Sequence, residues 1–130
     1  MGEKKKMLVV DDNATFRGLA LGVFDAQYEV AVASDGPEGL GKAREMKPDI
    51  ILLDVNMPNM TGVEFARRLA ADRETAGIPI IVITASDYNS LTQSLLAKEH
   101  NVKLFMTKLS PVETIREKVV TVISKEEESK

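Results

Sequence analysis

Strand-like and helix-like patterns alternate along the whole chain, and this alternation constrains the fold more than any other feature. Short apolar or β-branched runs, typical of buried strands, occupy residues 7–10, 28–33, 49–54, 78–84 and 102–107. Each run is followed by apolar residues at helical spacing. Because successive parallel strands need right-handed helical crossovers, the pattern predicts an α/β fold: a doubly wound five-stranded parallel sheet with five helices.

Local signals predict where the later helices begin and end. The fourth helix is expected over residues 87 to about 100, with Asn101 as its left-handed stop. Ser110 and Glu113 have the spacing of a capping box, and Pro111 would occupy the first helical position. The last helix is then expected to run to about residue 123.

Length and composition favour one globular domain. The 130 residues, 44% of them apolar, predict a domain over residues 1–125 and a charged flexible tail over residues 126–130. A net charge of −3 gives no general attraction to nucleic acid, and the absence of cysteine excludes thiol catalysis and Cys-ligated zinc. No apolar run approaches the ~18 residues that span a bilayer. We therefore expect a cytoplasmic protein that binds neither nucleic acid directly nor membranes.

Polar side chains stand at the carboxyl end of four predicted strands. Asp11 and Asp12 follow the first strand, Asp54 ends the third, Thr84 ends the fourth and Lys108 follows the fifth. Each has an ordinary explanation when taken alone, such as a helix cap or a solvated strand end. Ligands of open α/β sheets bind beyond the carboxyl ends of the strands, so these side chains are together expected to line one crevice.

Three carboxylates in one crevice would repel one another, and a hard divalent cation with oxygen ligands would relieve the repulsion. Mg²⁺ suits a site with few protein ligands; Asp11 and Asp12 are the predicted ligands, and Asp54 is expected to share the same ion. Asp54 is then the candidate nucleophile toward a phosphoryl group, with Thr84 and Lys108 holding the phosphoryl oxygens.

Four segments with these residues resemble one known family. They are Leu-Val-Val-Asp-Asp-Asn at 8–13, Asp-Val-Asn-Met-Pro-Asn-Met-Thr-Gly at 54–62, Ile-Thr-Ala at 83–85 and Phe-Met-Thr-Lys at 105–108. The chain resembles a response-regulator receiver domain of two-component signalling, of the single-domain chemotaxis-regulator kind, from residue 6 to about 123. The resemblance implies the flavodoxin-like topology of that family.

The resemblance also implies a phosphoryl donor and a metal site. A histidine kinase or phosphotransfer protein would transfer a phosphoryl group from its phosphohistidine to Asp54. Asp12 would bind Mg²⁺ directly and Asp11 mostly through water, while the backbone carbonyl of Asn56 would add a further ligand. The chain would phosphorylate and dephosphorylate itself with Mg²⁺ but would not be a dedicated enzyme.

The same resemblance implies a switch. Thr84 would move to hydrogen-bond the phosphoryl group, Phe105 would rotate inward, and Lys108 would pair with a phosphoryl oxygen. The surface of the fourth helix, fifth strand and fifth helix would then change its preference for a downstream protein target.

Leu109 is the main departure from the family pattern, because receivers usually place a proline, often after a cis peptide, behind the lysine. A cis bond before a non-proline residue costs about 2.5–4 kcal/mol, so the loop is expected to be either trans and reshaped or strained. This favours one alternative, a receiver-derived constitutive interaction module with impaired switching.

Two further classes fit less well. A haloacid-dehalogenase-like phosphatase needs Asp-x-Asp after the first strand, whereas Asp11 and Asp12 are adjacent. A flavodoxin-like electron carrier needs a Ser/Thr/Gly-rich phosphate loop at that position, and the acidic pair would repel a phosphate.

Overall fold

The computed structural model describes residues 4–85 and 90–129, and its strands form one sheet. The strands are β1 (Lys5–Val10), β2 (Tyr28–Ala33), β3 (Ile50–Leu53), β4 (Ile80–Thr84) and β5 (Val102–Thr107). The helices are α1 (Ala14–Phe24), α2 (Gly36–Met46), α3 (Gly62–Ala71), α4 (Ser90–Ala97) and α5 (Val112–Glu128). All strand pairs are parallel and the order is β2-β1-β3-β4-β5. The predicted fold class is confirmed.

Both faces of the sheet are covered, which explains why its strands are continuously apolar. In β1, Met7 and Val9 face a cluster built with α1 and α5, whereas Leu8 and Val10 face a cluster built with α2, α3 and α4. Successive strand residues point to opposite faces, so a strand buried on both sides has no polar positions.

The strand order reverses between β1 and β3, and this position organises the carboxyl edge of the sheet. The chain leaves β1 for β2 on one side and later returns to β3 on the other. Val10 pairs with Leu53, so the residues that follow, Asp11 and Asp54, emerge side by side. Crevices at such topological switch points are where doubly wound sheets bind their ligands.

A close backbone approach shapes the loop after β3. A Cβ on Gly62 would lie 3.0 Å from Val55 Cα, and the amide of Gly62 donates to Val55 O at 3.0 Å. Because this position has no side chain, α3 begins directly against the residues that follow Asp54.

The predicted helix stop at Asn101 is wrong. The left-handed non-glycine residues in the described ranges are Lys47 and Asn59, and α4 ends earlier, at Ala97. The side chain of Asn101 is instead buried and donates to Ala66 O at 3.3 Å, so a contact with α3 determines its conformation. Residues 87–89 of the predicted fourth helix lie outside the described residues.

The predicted capping box at the start of α5 is also wrong. Pro111 occupies the N-cap position, and no side-chain hydrogen bond caps the helix. The amide of Ser110 donates to Thr107 O at 3.0 Å, which places Ser110 in the turn that follows β5.

Residues 126–128 of the predicted flexible tail continue α5, which is longer than predicted. Glu126 pairs with Lys103 of β5 at 3.5 Å, and Glu127 pairs with Lys5 of β1. These contacts attach the last helical turns to the sheet. Among the described helices, none has the length and apolar character to cross a membrane.

Candidate functional site

Three carboxylates meet at the carboxyl edge of the sheet. Asp11 and Asp54 are 1% and 6% exposed, whereas Asp12 is exposed to solvent. One carboxylate oxygen from each lies within 4.8 Å of the other two. The predicted gathering of these acids is confirmed.

Backbone hydrogen bonds position the two buried acids. The amide of Asp11 donates to Ala33 O and that of Asp54 donates to Val10 O, each at 3.0 Å. Asp11 Oδ1 accepts the amide of Asn13 at 2.8 Å. The strand ladder and the first turn after β1 therefore determine where both carboxylates lie.

Lys108 brings a positive charge to the acids. Its Nζ lies 2.7 Å from Asp11 Oδ2, and its side chain is only 16% exposed. Its backbone amide donates to Thr84 O at 2.7 Å, which ties the end of β5 to the end of β4. No peptide bond within the described residues is cis, so the bond between Lys108 and Leu109 is trans.

The carboxyl group of Asp54 is electrostatically perturbed. Burial, and then the charge of Asp11, raise its pKa from 3.8 to about 6, although the Lys108 ammonium acts in the opposite direction. A raised carboxyl pKa means that the ionised form is disfavoured at this position. Lys108 therefore does not fully compensate the negative charge of the pocket.

The donor set fits a hard divalent cation such as Mg²⁺. All three side chains offer anionic oxygen, and Asp11 Oδ2 is buried without an aligned hydrogen bond from the described residues, although Lys108 forms an ion pair with it. Asn56, two residues beyond Asp54, lies in an exposed loop. Its carbonyl as a further ligand stays a prediction.

The two predicted switch residues lie on neighbouring strands: Thr84 ends β4, and Phe105 lies two residues before the end of β5. Thr84 is 2% exposed and pairs in register with Thr107. Phe105 is half-buried and packs against the cluster beneath α2, α3 and α4. Their movement on phosphorylation stays a prediction.

Two residues of α1 that were not predicted to belong to the site contact it. The ring centroid of Phe16 is 4.6 Å from Lys108 Nζ, and Arg17 Nη1 donates to Asp11 O at 2.8 Å. The sequence could have predicted the contact of Arg17, because a cation one helical turn after an acidic pair lies close to that pair. No local pattern connects Phe16 with a lysine 92 positions later.

Fold and site together define a class: a doubly wound α/β domain with an acidic, oxygen-lined pocket at its switch point. The response regulator receiver domain family matches residues 7–120, and the chain belongs to this family. It is thus a receiver domain of a two-component response regulator. Receiver domains as a family bind Mg²⁺ at such acidic clusters and interact with histidine kinases or phosphotransfer proteins.

Similar proteins include regulators of comparable length. Protein PilH of Pseudomonas aeruginosa is 30% identical over 120 residues, which cover 92% of this chain and 98% of PilH. The crystallised chemotaxis protein CheY4 of Vibrio cholerae is 30% identical, with a TM-score of 0.83 over 92% of this chain and 99% of CheY4. A CheY-like receiver domain from Methanospirillum hungatei has a TM-score of 0.90 at 21% identity, covering 98% of this chain and all of its own, and supports the fold alone.

Proposed function

We propose that Asp54 accepts a phosphoryl group from the phosphohistidine of a histidine kinase or phosphotransfer protein, with Mg²⁺ as the cofactor. The observation that carries this proposal is the meeting of Asp11, Asp12 and Asp54 within 4.8 Å. Within the described residues, this pocket has three carboxylates and one ion-paired ammonium, that of Lys108, and crowded like charges of this kind are typical of functional sites.

The transfer is a displacement at phosphorus. A carboxylate oxygen of Asp54 forms a bond to phosphorus as the bond from phosphorus to the histidine nitrogen breaks, and that nitrogen keeps the electron pair and takes a proton. With a pKa of about 6, most Asp54 carboxyls are ionised at neutral pH and can act as nucleophiles. Mg²⁺, bound by the acids, supplies charge neutralisation for the phosphoryl oxygens.

The residues around Asp54 would read its phosphorylation. The phosphoryl group itself carries about 1.5–2 negative charges in place of the single charge of the carboxylate, and these charges draw the Lys108 ammonium from Asp11 toward a phosphoryl oxygen. Thr84 donates its hydroxyl to another oxygen, and Phe105 fills the space behind it. The Lys108 amide is bonded to Thr84 O, so the two residues that would contact the phosphoryl group lie on directly hydrogen-bonded backbone.

This response would alter the surface of α4, β5 and α5 and thereby its affinity for a downstream protein. The chain would act in the cytoplasm as a phosphoacceptor that also loses its phosphoryl group by its own chemistry, and not as a dedicated enzyme. Affinity capture from a lysate with phosphorylated and unphosphorylated protein tests this part, because partners of a working switch differ between the two forms.

Intact-mass measurement after incubation with acetyl phosphate and Mg²⁺ tests the acceptor. The wild type is expected to gain about 80 Da, the mass of one phosphoryl group, and Asp54→Asn is expected to gain nothing. Asp49→Asn is a matched control, because Asp49 precedes the amino end of the same strand, β3.

Two outcomes would overturn the proposal. A folded wild type without a gain in mass would support the alternative that Leu109 favours, a constitutive interaction module. A gain in Asp54→Asn equal to that of the wild type would place the acceptor elsewhere.

A further inference from the structure

Lys108 has two contacts of different kinds at the acidic pocket. Its Nζ lies 2.7 Å from Asp11 Oδ2 and 4.6 Å from the ring centroid of Phe16. A cation within about 6 Å of a ring centroid is attracted by the π-electron density, and more strongly where water is excluded. The Lys108 side chain is 16% exposed, so it is largely shielded from solvent.

Only one of the two contacts is independent of the charge state of the pocket. If Asp11 shared its charge with a bound cation, its net attraction for the ammonium would fall, because two positive charges would then compete for the same carboxylate. The ring of Phe16 is neutral and retains its attraction. The Phe16 contact would therefore persist under the conditions in which Asp54 would react.

The ring itself is well positioned. The amide of Phe16 donates to Asn13 Oδ1 at 2.9 Å in the first turn of α1. The side chain packs against the cluster beneath α1 and α5. The ring thus belongs to a capped helix that directly follows the two acids of β1.

The loop that carries Lys108 gives it little side-chain support on the other side. Leu109 is 84% exposed, and the peptide bond before it is trans. The turn is closed by the amide of Ser110, which donates to Thr107 O at 3.0 Å. Backbone bonds thus fix the start of the lysine side chain, and Phe16 and Asp11 fix its end.

We propose that Phe16 is a positioning residue that holds the Lys108 ammonium at the acidic pocket and thereby sets the rate at which Asp54 takes up a phosphoryl group. The inference rests on the proposed function. It assigns to α1 a role in the reaction that goes beyond packing.

Two readouts on the full chain test it. The first is the second-order rate constant for phosphorylation by acetyl phosphate with saturating Mg²⁺. Phe16→Leu is expected to lower it about threefold to tenfold, and Phe16→Tyr is expected to restore it to nearly the wild-type value. The second is the NMR shift of the Lys108 ε protons, assigned by their absence in Lys108→Arg. These protons lie near the ring and are expected to move downfield in Phe16→Leu but not in Phe16→Tyr.

Phe24→Leu is the matched control, since it makes the same change in the same helix and the same cluster, where Phe24 contacts the ring of Tyr28. It is expected to lower thermal stability and to leave both readouts unchanged. An unchanged rate in Phe16→Leu overturns the proposal, as does an equal loss of rate in Phe24→Leu. If the wild type takes up no phosphoryl group, the proposed function fails, whereas the Lys108 shift still decides whether Phe16 holds the lysine.

Discussion

The two edges of the same sheet carry charge in opposite ways. At the amino edge, Lys5 pairs with Glu127, Lys47 pairs with Glu74 at 2.6 Å, and Asp49 accepts the amide of Lys6. The partners in both ion pairs are about half exposed. At the carboxyl edge, three carboxylates lie together, two of them are buried, and Lys108 pairs with one of the buried two, Asp11.

The difference separates structural charge from functional charge. Exposed ion pairs are solvated and screened, so they contribute little to stability, and their charges are already compensated. Buried carboxylates in excess destabilise the free protein and create an affinity for a cation. The two acids that flank β3 differ in a similar way: Asp49 is half-buried and accepts the amide of Lys6, whereas Asp54 is buried beside two further acids.

The largest expected effect is the loss of stability when Lys108 is removed from the carboxyl edge, compared with removal of Lys5 from the amino edge. Lys108→Met is expected to lower the free energy of unfolding by about 1–3 kcal/mol, because it leaves the buried carboxylate of Asp11 without its partner. Lys5→Met is expected to change stability by no more than experimental error. Urea unfolding with EDTA measures both, and equal losses of stability would show that the charges at the two edges do not differ in this way.

A smaller effect of opposite sign is expected at Asp54. Without Mg²⁺, Asp54→Asn is expected to raise the free energy of unfolding by on the order of 1 kcal/mol, or roughly 4 °C in Tm, because it removes one of three crowded charges. Asp49→Asn is expected to lower Tm slightly or leave it unchanged, because Asp49 has a hydrogen-bond donor in Lys6. Differential scanning calorimetry decides, and a lower Tm for Asp54→Asn would argue against electrostatic crowding.

The smallest expected effect is the pH dependence of that gain. The pKa of Asp54 is about 6 in the folded protein and 3.8 ordinarily, so the folded state binds this proton more tightly. The stability that protonated Asp54 contributes is complete below about pH 3.8 and is lost as the pH rises through 6. The advantage of Asp54→Asn over the wild type should therefore be full at pH 7 and absent near pH 4. An advantage that is constant across this range would contradict the shifted pKa.

The sequence was sufficient for the fold and for the meeting of the acids, for a physical reason. Strands buried on both faces are continuously apolar, as in β3, and parallel strands bring their carboxyl ends to one edge. Because β1 and β3 are neighbours in the sheet, Asp11 and Asp54 lie side by side.

The misses lie where contacts outside a helix override the signals for its start or its end. Asn101 has the side chain of a left-handed helix stop, but it is buried against Ala66 O. Ser110 and Glu113 have capping-box spacing, yet Pro111 takes the N-cap position. The contact of Phe16 with Lys108 joins distant segments, and no periodic pattern encodes it.

Calorimetric titration with MgCl₂ tests most directly whether the carboxyl edge is a shared cation site. The wild type is expected to bind a single ion. Asp12→Asn and Asp54→Asn are expected to bind it at least about tenfold more weakly, and Asp49→Asn is expected to match the wild type. A wild type that binds no Mg²⁺, or an affinity that is the same in all four proteins, would contradict the account.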